Sequence, residues 1–198
     1  MRNEINKIES RRERPSLLLH SCCAVCSSYV LLCLNPYFKL TVLYYNPNIE
    51  PFEEYEKRKK EQLRLLKEYA EVKIIDIDYE NGRFREAISG FEHEPEGGER
   101  CSRCIELRLR RTAELARDKN FDYFCSTLSV SPHKNALLIN TIGKKLQDES
   151  GVRWLYSDFK KRDGFLKSGI ESKRLGLYRQ NYCGCGFSEQ GRGEEGKL

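Results

Sequence analysis

The chain has 198 residues, 39% hydrophobic and 33% charged, with 35 Lys and Arg against 30 Asp and Glu for a net charge of +5. That length implies one domain, or one domain with small insertions, with a single core under a heavily solvated surface. No apolar run approaches the roughly 18–20 residues of a membrane span, and the opening Met-Arg-Asn-Glu-Ile-Asn-Lys-Ile-Glu lacks the apolar centre of a secretion signal. Residues 1–198 therefore read as cytoplasmic, with no membrane partner, and the moderate basic excess suits nucleic acid without requiring it.

Residues 1–15 form a basic N-terminal arm, either mobile or folded as a short docking helix. The run Ser-Leu-Leu-Leu-His at 16–20 reads as a buried strand of a parallel sheet. It leads into the first cysteines, and 24–34 suits a helix. A second strand at 40–45 closes on the turn Asn46-Pro47-Asn48. Pro51 opens a helix to about Tyr69, with Leu63, Leu66 and Tyr69 on one face and 57–60 in a solvated stretch. A third strand follows at 72–77, then a short helix at 83–89. Residues 92–100, rich in Glu, Gly and Pro, read as a loop delivering Cys101 and Cys104. Then come a helix at 105–119, a strand at 121–125, a polar loop at 126–132, a helix at 136–146 and a fifth strand at 152–156. The Gly/Glu-rich segment 189–198 reads as a disordered tail. The alternation predicts an α/β fold: an open, mainly parallel sheet flanked by helices, Rossmann-like and HUP-type, in a single domain over 16–188. In such sheets sites form beyond the carboxyl ends of the strands, at the topological switch point, and the first cysteines fall there.

Seven of the nine cysteines lie in three groups: Cys22, Cys23 and Cys26; Cys101 and Cys104; Cys183 and Cys185. Thiolates gathered this way bind soft metals or carry two-electron chemistry. A reducing compartment and an odd count both disfavour a disulfide framework. Structural zinc on Cys23, Cys26, Cys101 and Cys104 would satisfy tetrahedral coordination, but it leaves Cys22 and the last pair without a role. Adjacent Cys22 and Cys23 suit two irons of one cluster, and a cluster on Cys22, Cys23, Cys101 and Cys104 uses the pattern more fully. A disulfide across one intervening residue, as in Cys183-Gly184-Cys185, is strained and labile, and Gly184 and Gly186 supply backbone freedom. The pair reads as an electron-pair store, dithiol before reaction and disulfide after; the alternative is two further metal ligands.

Cys33 and Cys125 sit among apolar neighbours and read as packing. His20, beside the first group, either tunes it and moves a proton or is a hydrogen-bonded core residue. His133 is placed to contact substrate, and His93 carries no signal. Lys160, Lys161, Arg162, Lys173, Arg174, Tyr178, Arg179 and Tyr182 crowd toward the third group. Such residues meet phosphates and stack on unpaired bases, although a charge run is often only a solvated face. No dinucleotide fingerprint or phosphate-binding loop is present, which weighs against ATP-dependent sulfur transfer.

Six strings carry a family resemblance: Leu-His-Ser-Cys-Cys-Ala-Val-Cys, Tyr-Asn-Pro-Asn-Ile, Gly-Glu-Arg-Cys-Ser-Arg-Cys, Ser-Thr-Leu-Ser-Val-Ser-Pro-His-Lys, Asp-Phe-Lys-Lys-Arg-Asp-Gly and Tyr-Arg-Gln-Asn-Tyr-Cys-Gly-Cys. From Leu18 to Ser188 the chain resembles the cobalamin-independent epoxyqueuosine reductases, the QueH family, which act in the last step of making queuosine at the wobble position of certain tRNAs. Val25 stands where that family's first motif has proline. The resemblance implies a 4Fe-4S cluster on Cys22, Cys23, Cys101 and Cys104, with Cys183 and Cys185 as the redox-active pair. Cys26 is then a ligand of an additional iron or an inert neighbour. It also implies two partners, a tRNA whose anticodon loop carries epoxyqueuosine and an unidentified electron donor. Expected tRNA contacts lie among 57–60, Arg108, Arg111 and 160–162; proton-donor candidates are His20, Tyr182 and Asp158. Two other readings are an iron–sulfur tRNA sulfur-transferase and a non-catalytic zinc-binding RNA-binding module.

Overall fold

Leu17, Leu18 and Leu19 leave no polar residue to turn outward, so a strand built from them needs cover on both faces. In the computed structural model, which describes residues 1–188, that strand is β1 (Ser16–His20), the centre of a five-stranded sheet. The others are β2 (Lys39–Tyr44), β3 (Lys73–Asp76), β4 (Tyr123–Ser126) and β5 (Arg153–Trp154). Their order is β3-β2-β1-β4-β5 and every pair is parallel, with Leu18 opposite Thr41 on one side and Phe124 on the other. This is the open parallel α/β sheet that the alternation predicts.

Strand pleating sends alternate residues to opposite faces. Leu17, Leu19 and Val42 pack with Val30, Leu31 and Leu34 of helix α2 (Ala24–Leu34) and with Leu65 and Leu66 of α3 (Phe52–Leu66). Leu18, Leu43 and Phe124 pack with Ile105, Leu109 and Ala113 of α5 (Glu99–Asp118) and with Ile139, Ile142 and Leu146 of α6 (Ala136–Ser150). A short α4 (Asn81–Ala87) precedes α5, and a 3-10 turn, Thr127–Val130, follows β4.

The basic arm takes the helical form, as α1 (Arg2–Arg11). Its Ile8 enters the first face's core, and Glu4 accepts a 2.7 Å hydrogen bond from Tyr123 at the start of β4. α1 therefore lies at the amino ends of the strands, opposite the cysteines. The tail expected at 189–198 lies outside the described residues.

Two features depart from the sequence expectation. α5 begins at Glu99, not near Ile105, so Cys101 and Cys104 ride on helix rather than loop. Gly98 caps the start in extended backbone, and Arg100, Cys104, Ile105, Arg108 and Leu109 then fall on the buried face. The second is α7 (Gly164–Arg174), in a stretch that reads only as basic. Its buried face is Gly164, Ser168 and Ser172, small residues that seat it against α2. A Cβ on Gly164 would lie 1.7 Å from the Phe159 carbonyl oxygen and 2.8 Å from the Tyr29 ring.

Candidate active site

The chain leaves β1 through Ser21, whose polar atoms are all held. Its N–H donates to Leu43 O (2.9 Å), its carbonyl accepts from Asn46 Nδ2 (2.8 Å), and its hydroxyl meets Ser27 Oγ (2.7 Å) and Gln62 Oε1 (2.6 Å). The cysteine loop is thereby fixed at the switch between β1 and β4. Across that switch the Cys22 N–H donates to Thr127 Oγ1 (3.0 Å), and the Thr127 hydroxyl donates to Cys22 Sγ (3.2 Å). Cys23 caps α2, its Sγ accepting from the Cys26 N–H at 3.5 Å.

The sulfurs of Cys22, Cys23 and Cys26 lie within 4.8 Å of one another, with Cys22 and Cys23 Sγ 3.9 Å apart. Hydrogen bonds from the Cys23 and Cys26 thiols hold Cys22 well below the ordinary thiol range. The same sharing pushes Cys23 up to about 12 and raises Cys26. A thiolate at Cys22 would lie at the positive amino end of α2.

Two cavities adjoin this loop. One is lined by Cys22, Cys26 and Cys183, the other by Cys101, Cys104, Cys183 and Cys185, and the two share Asn48, Glu96, Arg108, His133, Lys134 and Cys183. Cys101 Sγ accepts from the Gly97 N–H at 3.2 Å, while burial raises the Cys104 thiol. Cys101 and Cys104 stand outside the close group of Cys22, Cys23 and Cys26. All nine cysteines are free thiols.

Cys183 and Cys185 arrive on a strap that closes over the loop after β2. Tyr182 Oη donates to Glu50 O (2.6 Å), the Glu50 N–H donates to Gly184 O (2.8 Å), and the Gly186 N–H donates to Glu50 Oε2 (3.2 Å). Gly184 has φ of 124°, a conformation that L side chains rarely adopt, and a Cβ there would meet Arg58 and Ile49 at 3.0 Å. Arg58, only 2% exposed, reaches the Cys183 carbonyl (3.2 Å) and the Tyr182 carbonyl (3.4 Å) while paired with Glu54 at 2.7 Å.

Two cations face the thiols from inside. Lys134 Nζ donates to Cys183 Sγ at 3.2 Å, and Arg108, 3% exposed, donates to Cys104 O at 3.1 Å. Burial alone would raise the Cys183 thiol, but the charges of Lys134 and Arg108 bring it below its ordinary value. Cys185 goes the other way: burial, then the Cys183 charge, push it up to about 12. The pair is asymmetric, with Cys183 lowered and Cys185 raised. Asn46 and Asn48 are buried at the first cavity, and neither Oδ1 accepts a hydrogen bond from a described residue.

His20 is a satisfied core residue. Its Nε2–H donates to Tyr45 O (3.0 Å), its Nδ1 accepts from Ser126 Oγ (2.9 Å), and burial, with Arg108, lowers its pKa to about 4. Neither His20 nor Asp158 lines either cavity; Tyr182 lines the first with its hydroxyl committed to Glu50, and His133 lines both. Cys125 is buried and Cys33 half-buried among core residues, as packing requires. Arg58 and Arg108, named among the expected phosphate contacts, are buried and line the first cavity. Both carried a sequence signal: Arg58 is in helical phase with buried Tyr55, Gln62 and Leu65, and Arg108 with Cys104, Ile105 and Thr112. Lys134 had none, since its partner is 49 residues away.

The family model described as epoxyqueuosine reductase QueH matches residues 17–191. Curated proteins with that description include one from Staphylococcus epidermidis, 40% identical over 98% of this chain and 84% of its own length. Another, from Streptococcus pyogenes serotype M1, is 38% identical over 93% of this chain and 74% of its own. A third, from Thermotoga maritima, is 36% identical over 87% and 90%. Among solved structures, the U34-tRNA thiolase NcsA from Methanococcus maripaludis with its [4Fe-4S] cluster superposes with a TM-score of 0.55 at 16% identity. The match covers 88% of this chain and 61% of that one, a likeness of fold. With its cysteine groups converging at the switch point and its relatives aligned over most of their lengths, the chain belongs to the QueH family of epoxyqueuosine reductases.

Proposed function

We propose that this protein removes the epoxide oxygen of epoxyqueuosine, in the anticodon loop of tRNA, by oxidising the Cys183/Cys185 dithiol. The observation that carries the reading is Cys183 itself, a thiol facing both cavities and held by a half-buried lysine. The step balances. Two epoxide C–O bonds break, a C=C bond forms, and oxygen leaves as water with two protons. The two thiols supply both protons and both electrons as one S–S bond forms. Lys134 keeps Cys183 as thiolate and returns its proton to the departing oxygen. Cys185, a thiol pushed up to about 12, keeps its proton until the second sulfur is needed.

The donor set fits an iron–sulfur cofactor, since thiolates from two segments face cavities whose walls include buried Arg108 and half-buried Lys134 to offset their charge. Cys22, Cys23, Cys101 and Cys104 would hold a 4Fe-4S cluster, which when bound supplies one-electron transfer beside the dithiol. Cys26 favours an additional iron. The Cys26 Sγ lies within 4.8 Å of those of Cys22 and Cys23, close enough for a metal to be shared among them.

Anaerobic purification followed by iron, sulfide and zinc counts, then turnover of epoxyqueuosine-tRNA under reductant, tests the proposal. A brown protein with about four irons and four sulfides for the cluster, plus iron on Cys26, that yields queuosine is the expected result. Cys183→Ser abolishes turnover and keeps the visible absorbance. A colourless zinc protein, or loss of absorbance in Cys183→Ser, overturns the assignment.

A further inference from the structure

The geometry points to α7 and the turn before it as the surface that seats the substrate's anticodon loop, with Phe165 stacking on an unpaired base at the cavity mouth and Lys161 and Arg162 meeting backbone phosphates. The inference rests on the proposed reductase function and assigns the partner's place on the fold.

α7 is packed the wrong way round for an ordinary surface helix. Its small residues, Gly164, Ser168 and Ser172, face α2, and its large apolar ones face out: Phe165 is 50% exposed, Leu166 62% and Ile170 58%. Three bulky apolar side chains on one exposed helix mark an interaction surface more often than scattered single ones do. The patch is continuous with the chemistry, because Phe165 lines the cavity walled by Cys22 and Cys183.

The turn that leads into α7 is strained and presents cations to solvent a few residues before Phe165. Arg162 and Asp163 both have left-handed backbone, with φ of 56° and 62°. The turn is held by the Gly164 N–H donating to Lys160 O (3.2 Å) and by Lys167 Nζ donating to Arg162 O (2.8 Å). Lys161 and Arg162 are exposed, and neither forms an ion pair with any described residue. Arg179 lines the cavity and packs over Gly169, its Nη1 3.6 Å from where a Cβ would stand. On α7 itself Glu171 is the one acid, and Arg174 neutralises it at 2.6 Å. A second copy of this chain would cover the apolar residues but would gain nothing from unpaired cations beside them. A single-stranded RNA loop uses both: an aromatic face for a splayed base and cations for its phosphates.

The test uses the iron-loaded protein and a fluorescent anticodon stem-loop bearing epoxyqueuosine, with Kd measured over a series of KCl concentrations. Phe165→Ala weakens binding about tenfold, within the range for loss of one stacked base. The double variant Lys161→Glu, Arg162→Glu weakens binding at low salt and flattens the log Kd–log [KCl] slope by about 1.4, at about 0.7 per phosphate contact. Arg2→Glu, Arg11→Glu on α1, at the far end of the sheet, leaves Kd unchanged. Matching far-UV spectra and iron content show that every variant has folded. Wild-type Kd and salt slope in the α7 variants overturn the inference. So does Leu166→Glu, Ile170→Glu, if it changes oligomeric mass without changing RNA affinity, which assigns the patch to a second copy. Tight, α7-dependent binding by a protein that yields no queuosine instead rejects the reductase mechanism and keeps the docking surface.

Discussion

Replacing Arg58 with Met should free the strap that carries the dithiol while leaving the sheet intact. The guanidinium is buried in α3 and makes charge-assisted bonds to the Cys183 and Tyr182 carbonyls at 3.2 and 3.4 Å. Bonds of a charged donor contribute about 1.5–3 kcal/mol each, and these distances place both at the lower end, about 3 kcal/mol together. The Glu54 partner loses its 2.7 Å ion pair, but Tyr178 Oη still donates to both its oxygens at 3.1 Å, which limits the cost of stranding that carboxylate. A loss of about 3 kcal/mol raises the strap's opening constant roughly a hundredfold. Two probes report that opening: hydrogen exchange of the Glu50 amide, which is bonded to Gly184 O, and alkylation of buried Cys185 by a bulky maleimide. Both should accelerate together by about two decades, and Arg58→Lys should recover only part, since an ammonium cannot span two carbonyls and a carboxylate as a planar fork does. If both rates stay within about twofold of wild type, Arg58 does not clamp the strap.

Three further outcomes are expected. Cys26→Ser should lower the iron count by about one while the cluster absorbance persists; an unchanged count makes Cys26 an inert neighbour. Gly164→Ala forces a Cβ to within 1.7 Å of the Phe159 carbonyl, so calorimetry should show a loss of about 3 kcal/mol, or a Tm lower by about 6–12 °C, and a shift under about 2 °C would mean that α7 seats elsewhere. Asn48→Ala removes a buried acceptor that faces both cavities, so it should raise KM for the tRNA about tenfold with a smaller change in kcat; an effect confined to kcat contradicts a role in holding substrate.

The parts of this fold that are legible in the sequence are those whose burial is apolar. The leucines of β1 have to be covered on both faces, and the helix over 24–34 follows because α2 continues the same core through Val30, Leu31 and Leu34. What stays hidden is burial by other means. The core face of α5 includes Arg100, Cys104 and Arg108, and charged residues on a core face look like a solvated stretch until their phase with Ile105 and Leu109 is followed. α7 hides for the opposite reason, because its inner face is Gly and Ser and its apolar residues point out. Local spacing marks the cysteine groups as chemistry, yet the asymmetry of Cys183 and Cys185 depends on Lys134 and on Arg108, far away along the chain.

That asymmetry has a pH signature whose sign can be worked out. Burial alone would raise the Cys183 thiol, but Lys134 and Arg108 bring it below its ordinary value. A thiol depressed in the fold contributes stability above its unfolded pKa and loses it as pH falls through the folded one. Lys134 moves the other way, for although burial opposes its charge the Cys183 thiolate raises its pKa. Its contribution is complete below the unfolded lysine pKa and is lost as pH rises through the folded value. Between these limits both groups are charged, so acid is what first dissolves the pair. Removing the cation with Lys134→Met should move the midpoint of Cys183 carboxymethylation upward. Below that midpoint the reaction should slow, because a thiolate population falls in proportion as its proton affinity rises. The variant should be less stable than wild type where wild type holds the thiolate, and that difference should shrink as pH falls through the folded Cys183 value. Cys185, already up at about 12, should react only in strong alkali in both. Identical Cys183 midpoints would show that Arg108 alone sets the thiolate, and Lys134 would lose its place as the group that stores the proton.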